Sequence, residues 1–249
     1  MKKVLYLWPV YMSLLLAACQ NQEAANVPVE ADTTVVGQGI DSALIDVDIK
    51  IGSTRFDKSL NDAADLITVD SSGQVEFRVG AKKDFFSDPD GKLSNNSAPI
   101  LLSSVDNTKP FTLTAKVTPR FTPNGMYNAG VLYIYSSNNL YQKFCFEQDE
   151  SGDHRVVSVR TVGTSDDNNH DLVQQKYVYM KISSDTKTVG SYYSLDNKKW
   201  KLARLYKNEY PSHIFLGISA QCPVDTGTVS YFNEVSIEPK SVKDFRLGI

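Results

Sequence analysis

The chain has 249 residues and a formal net charge of −3, from 26 Lys and Arg against 29 Asp and Glu. That balance offers no basic footprint, so nucleic acid is excluded as a partner. Three Cys are too few for a disulfide-dense scaffold, and the length suits one domain with a full core.

The chain opens Met1-Lys2-Lys3, followed by an apolar stretch from Val4 to Ala18 that Pro9 interrupts. A basic start and a short apolar run read as a cleaved signal over 1–18, because a bilayer span needs about 20 apolar residues. The run ends Leu16-Ala17-Ala18-Cys19, which resembles the bacterial lipobox. Cys19 is therefore expected to be lipidated, with diacylglycerol and palmitate-type chains holding the mature protein to a membrane. Gln20 stands where Asp would retain other Gram-negative lipoproteins at the inner membrane, so an outer-membrane location is expected, facing the periplasm or the surface. Residues 19–40 are small, polar and unpatterned after the Cys, and read as a flexible tether of roughly 25 Å.

From residue 41 the hydrophobic period is two. In 44–51, Ile45, Val47, Ile49 and Ile51 alternate with Asp46, Asp48 and Lys50. In 74–79, Val75, Phe77 and Val79 alternate with Gln74, Glu76 and Arg78, and 111–117 repeats the pattern through Phe111, Leu113, Ala115 and Val117. Successive strand side chains point to opposite faces, so each segment reads as half-buried strand. Similar segments follow at 129–135, 140–147, 154–161, 176–182, 188–195, 200–206, 213–219 and 227–237, with turn residues such as Asp196-Asn197 between them. Only 57–66 could hold a short helix. Many short strands without helical crossovers predict an all-β fold, a two-sheet antiparallel sandwich over 41–240 with a tail at 241–249.

Several segments then resemble, in order, a bacterial family of concanavalin A-like domains labelled "regulation of enolase". They are Asp84-Phe85-Phe86, Tyr127-Asn128-Ala129-Gly130, Lys143 to Glu147 (KFCFE), Val156 to Arg160, Ser165-Asp166, Tyr193 to Trp200 and Gly217 to Pro223 (GISAQCP). Phe86, Asp167 and Asn197 replace the Trp, Trp and Gly that the family pattern has. The resemblance implies a concanavalin A-like jelly roll of the lectin/glucanase kind, with one concave sheet.

Glucanases of that fold carry Glu, Asp and Glu at alternate strand positions. The nearest match here is Glu147-Gln148-Asp149-Glu150, in which Glu150 breaks the alternation. His154, His170 and His213 lack ligand spacing, and the oxygen-rich stretch Ser165 to Asp171 reads as an exposed loop without the pattern of a calcium loop. No cofactor is assigned; Ca²⁺ is possible there without support. Cys145 and Cys222 could bridge in an exported protein or stay apart.

If Phe144 and Phe146 face the core, parity puts Lys143, Cys145 and Glu147 on the other face. Arg160 is expected beside them, on a neighbouring strand whose Val157 and Val159 face inward. Tyr127, Tyr135, Tyr141, Tyr192 and Trp200 are candidate ring platforms. The expected ligand site is Tyr127, Lys143, Glu147, Arg160 and Tyr192, and the expected partner is a glycan bound without catalysis. The alternatives are a glycoside hydrolase acting through Glu147, or a protein-interaction module of an envelope complex.

Overall fold

A computed structural model describes residues 44–249. The signal, Cys19 and the tether lie outside the described residues. In chain order the strands are β1 (Ile45–Ile51), β2 (Thr54–Leu60), β3 (Ile67–Val69), β4 (Val75–Gly80), β5 (Phe85–Ser87), β6 (Ser94–Asn96), β7 (Ile100–Asp106), β8 (Phe111–Pro119) and β9 (Ala129–Ser137). Then come β10 (Leu140–Gln148), β11 (His154–Val162), β12 (Thr164–Leu172), β13 (Val178–Ser184), β14 (Thr188–Ser194), β15 (Lys201–Lys207), β16 (His213–Gln221) and β17 (Gly227–Glu238). A single 3₁₀ turn, Ala63–Leu66, is the helical element among the described residues, at the end of the stretch where a short helix was expected.

The fold is the expected antiparallel two-sheet sandwich. One sheet has eight strands in the order β1-β2-β7-β16-β9-β10-β11-β12, the other seven in the order β15-β14-β13-β8-β17-β4-β3. Between them lies a core that includes Phe77, Leu113, Val117, Leu132, Ile134, Phe144, Phe146, Met180, Ile218 and Phe232. In β4, and in β8 from Leu113 on, the alternation read from the sequence is the alternation of buried and more exposed side chains; Thr112 is buried as well. Gly130 lets the sheets approach: a Cβ there would lie 2.5 Å from Val117 Cγ1.

The strands β9 and β10 differ from this pattern, being buried on both faces for most or all of their length. Their second face carries a separate apolar cluster that includes Val131, Tyr133, Tyr135, Tyr141 and Cys145, joined by Val157 and Val159 of β11. A small β5–β6 hairpin covers part of it. Cys145 and Cys222 are free thiols in different clusters.

The stretch Ser165 to Asp171, expected as a loop, is instead most of β12, paired with β11. It shows no apolar alternation because it is a polar edge strand. Asp166 meets Arg204, and Asp171 meets Tyr193 and Lys201, so neither side needs apolar residues. Charged edges of this kind also discourage strand addition. The tail beyond 240 folds back: Tyr192 Oη donates to the Phe245 carbonyl at 2.9 Å and Lys181 Nζ to that of Gly248 at 2.9 Å.

Candidate functional site

The outer face of the eight-stranded sheet carries a cavity of about 380 Å³. This is within the range of small-molecule sites. Its floor is a lattice of directly paired residues. Lys143 of β10 is opposite Val159 of β11, which is opposite Asp167 of β12. Farther along, Cys145 is opposite Val157 and then Asn169. Residues paired in this way share a face, so Lys143, Val159 and Asp167 form one row under the cavity.

The hairpin makes one wall. Reciprocal backbone hydrogen bonds between Lys83 and Cys222 (3.0 and 2.9 Å) fix its entry. Phe85 is wholly buried and meets Tyr133, Tyr135 and Tyr141 edge-on at 6.3, 5.9 and 5.1 Å. Ser87 N donates to Ser165 Oγ at 3.0 Å, tying β5 to β12. Asp84, Phe86 and Asn95 are thereby set around the cavity, while Leu93 and Val224 line it as exposed apolar side chains. The opposite wall begins at Tyr127, whose φ of 64° is unusual for a side chain of its size. Its amide donates to the Gln148 carbonyl at 2.7 Å, which holds this turn against the end of β10.

Lys143 is buried and forms an ion pair with Asp84 at 2.9 Å. It also donates to Gln221 Oε1 at 3.3 Å, and Gln221 Nε2 donates to Tyr133 Oη at 2.7 Å. Burial opposes the Lys143 charge, but Asp84, with smaller help from Cys145 and Glu147, holds the ammonium above its ordinary range. Glu147 lies 9% exposed on the same face, and its carboxyl makes no hydrogen bond or ion pair among the described residues. Burial is the main reason its pKa rises to about 8; Lys143 opposes the rise, and Asp167, Asp84 and Asp149 add to it. Asp167, on the solvent-exposed part of β12, is also raised, first by partial desolvation and against the pull of Lys143. Among the described residues no three His, Cys, Asp or Glu side chains converge as a metal site.

Of the residues singled out from sequence, Tyr127, Lys143 and Glu147 line this cavity together. Arg160 does not. It is paired with Gln142, so it shares the face of Phe144 and Phe146, where it meets Glu209 at 3.2 Å and lies 4.8 Å from the Tyr206 ring. The residues of β11 that line the cavity are Val157 and Val159, which were expected to point inward. Tyr192 is wholly buried in the other sheet, beneath the tail. Tyr135 and Tyr141 lie under Phe85, and Trp200 sits over Lys181 at 3.7 Å. Asp149 is committed to Arg155 at 2.6 Å, whereas Glu150 reaches the cavity from the turn despite its parity.

Sequence reading missed Asp84, Phe86, Asp167, Asn169 and Gln221 as cavity residues. A signal was present: five of the quoted segments, Asp84 to Phe86, Tyr127 to Gly130, Lys143 to Glu147, Val156 to Arg160 and Gly217 to Pro223, each contribute a lining residue. Only the fold shows that they meet.

The raised Glu147 has a consequence for stability. The folded state keeps this proton between the ordinary carboxyl value of 4.5 and about 8, where the unfolded chain has released it. Stability should therefore fall as pH rises through that window. Water entering the cavity discounts the full shift, leaving a loss on the order of 2 kcal/mol. Glu147→Gln should flatten this fall and be the more stable form at about pH 9, as measured by urea unfolding at acid and alkaline pH. Parallel pH profiles for the two proteins would contradict it.

A family model described as "Protein of unknown function (DUF1349)" matches residues 62–240. A search of the curated proteins finds no match. Among solved structures, a functionally unknown protein from Saccharomyces cerevisiae is similar at 19% identity and a TM-score of 0.66, over 74% of this chain and 96% of that one. A GH43 glycoside hydrolase engineered to display both endo-xylanase and exo-arabinofuranosidase activity is similar at 14% identity and 0.57, over 82% of this chain and 42% of its own. The GH43 BlXynB protein of Bacillus licheniformis gives 15% and 0.57, over 82% and 40%. The chain thus spans about two fifths of either GH43 protein. At these identities the likeness is one of fold.

Proposed function

The chain belongs to the family described as "Protein of unknown function (DUF1349)", and from that footing we propose that it is a carbohydrate-binding β-sandwich of the cell envelope without catalysis of its own. In this proposal acylated Cys19 anchors it to the outer membrane, and residues 19–40 hold the sandwich, residues 41–240, away from the lipid. The sequence likeness to the family labelled "regulation of enolase" enters as kinship of fold.

One observation carries the reading. A cavity of ligand size holds a nine-tenths buried carboxyl, Glu147, that makes no hydrogen bond to a described group of the protein. This carboxyl opens only onto the cavity and is engaged by no described side chain, so it is free to hydrogen-bond a ligand rich in hydroxyls, such as a sugar. The cavity also offers Asn95, Asn169 and Gln221 for further hydrogen bonds, and the rings of Phe86 and Tyr127 for the apolar face of a sugar. The partial likeness to proteins named GH43 supports a carbohydrate partner only at the level of fold.

A glycan array probed with the purified chain tests this. Glu147→Ala should weaken any retained glycan about tenfold, the scale of one buried hydrogen bond. Arg160→Ala, on the far side of the sheet, should leave it bound. Retention of no glycan, or binding indifferent to Glu147→Ala, would remove the proposal. A glycoside hydrolase is the second reading, favoured by the elevated pKa of Glu147, since a general acid must keep its proton near neutrality. Release of reducing ends from a bound glycan, abolished in Glu147→Gln, would favour it over simple binding.

A further inference from the structure

We propose that the cavity selects a saccharide bearing a free ammonium, an amino sugar, over neutral and anionic sugars, with Glu147 as the group that takes the ammonium. This rests on the glycan reading above and adds the class of sugar.

The charges that line the cavity carry the inference. They are Asp84, Glu147, Glu150 and Asp167 against Lys143. Lys143 is already engaged by Asp84 at 2.9 Å and by Gln221. Three carboxylates are left without a cation in the cavity. The guanidinium groups nearby are engaged elsewhere: Arg155 by Asp149 at 2.6 Å, Arg160 by Glu209, and Arg204 by Asp166. Glu147 is the most enclosed of the three and the one in β10 itself.

Each class of sugar meets this inventory differently. A uronate brings a like charge to the carboxylates, and like charges at short range repel strongly where water is scarce. A neutral sugar supplies hydroxyl donors but no charge, so Glu147 keeps its proton beside it and only neutral hydrogen bonds form. An ammonium supplies both donors and charge, in a charge-assisted hydrogen bond. The rings at Phe86 and Tyr127 add faces that attract cations as well as apolar sugar faces. A bare metal ion is a poorer fit, since no three ligating side chains converge among the described residues.

In the empty cavity Glu147 holds a proton near neutrality, since its pKa is about 8. An incoming ammonium takes that proton's place, and the proton leaves to buffer. The groups facing Glu147 are Lys143 and Cys145 on its own strand, Arg155 opposite it on β11 and held by Asp149, Asp84 at the hairpin, Asp149 and Glu150 at the turn, Tyr127 and Asp167. Lys143 and Cys145 are shifted upward, away from the acid range; Asp167 is raised as well, so the released proton is assigned to Glu147 by its loss in Glu147→Gln.

Isothermal titration of the full chain in detergent, at about pH 6.5 in buffers of different ionisation heat, tests this with three probes. They are a glucosamine tetramer, its fully N-acetylated counterpart and an alginate tetramer. The glucosamine tetramer should bind about tenfold or more tighter than the acetylated one, and the alginate tetramer least. Binding of the glucosamine tetramer should release up to about one proton. Glu147→Gln, which mimics the protonated carboxyl and should fold, should lose both the preference and the proton release. Equal or tighter binding of the acetylated or anionic tetramer would overturn the inference and leave the glycan reading standing. Binding of the amine without proton release, unchanged in Glu147→Gln, would overturn it as well. Failure of all three to bind, with the array also empty, would remove both.

Discussion

Phe85→Ala is expected to lower the unfolding free energy by about 3–5 kcal/mol, the cost of emptying a fully buried aromatic site. Phe85 is 0% exposed and packs edge-on against three tyrosine rings. Such aromatic pairs contribute beyond the area they bury. The effect should extend past stability. The strands β5 and β6 have three residues each and pair only with one another. A hairpin that short has little stability alone and depends on what it packs against. Without the Phe85 ring, Asp84, Phe86 and Asn95 lose their fixed place and the cavity loses a wall. Urea unfolding and glycan binding, measured on the same variant, should therefore fail together. Phe86→Ala, which removes a half-buried ring from the lining, should cost much less stability. A Phe85→Ala protein within about 1 kcal/mol of the parent, still binding, would show that the hairpin is held by other means.

Lys143→Met is the second large effect, expected at about 3 kcal/mol, because it leaves the Asp84 carboxylate unpaired in a poorly solvated place. The Lys143 and Asp84 side chains are 5% and 13% exposed, so neither charge has water to fall back on. Exposed pairs such as Arg55–Asp48, screened by water on all sides, should contribute far less. Asp84→Asn should be costly in the same way, since it strands the ammonium. Removing both charges should cost less than the sum of the single changes, with a coupling on the order of 1–3 kcal/mol. Strict additivity in this double-mutant cycle, read by urea unfolding, would mean that the two residues act separately.

The sandwich itself was legible because strand parity is local. In β8, Phe111, Leu113, Ala115 and Val117 announce their buried face without reference to any other strand. Where both faces are covered, the signal weakens. In β9 every residue from Ala129 to Tyr135 is buried, and parity alone could not assign Tyr133 or Tyr135 to a layer. The polar edge strand β12 gave no apolar period at all, and so read as a loop.

Lys143 and Glu147 were placed on a common face by their own strand, and the fold keeps them there. Arg160 was assigned to that face through its neighbours Val157 and Val159, on the assumption that valines point to the main core. The pairing of Gln142 with Arg160 and of Glu147 with Arg155 reverses that assignment. Periodicity tells which residues of one strand share a side. Which side of the next strand joins them depends on register, and register is set by the turn and by packing across the sheet. Asp84, Asp167 and Gln221 came to the cavity by the same route. They are distant in sequence, and only the stacking of strands and the closure of the hairpin bring them within reach of Glu147.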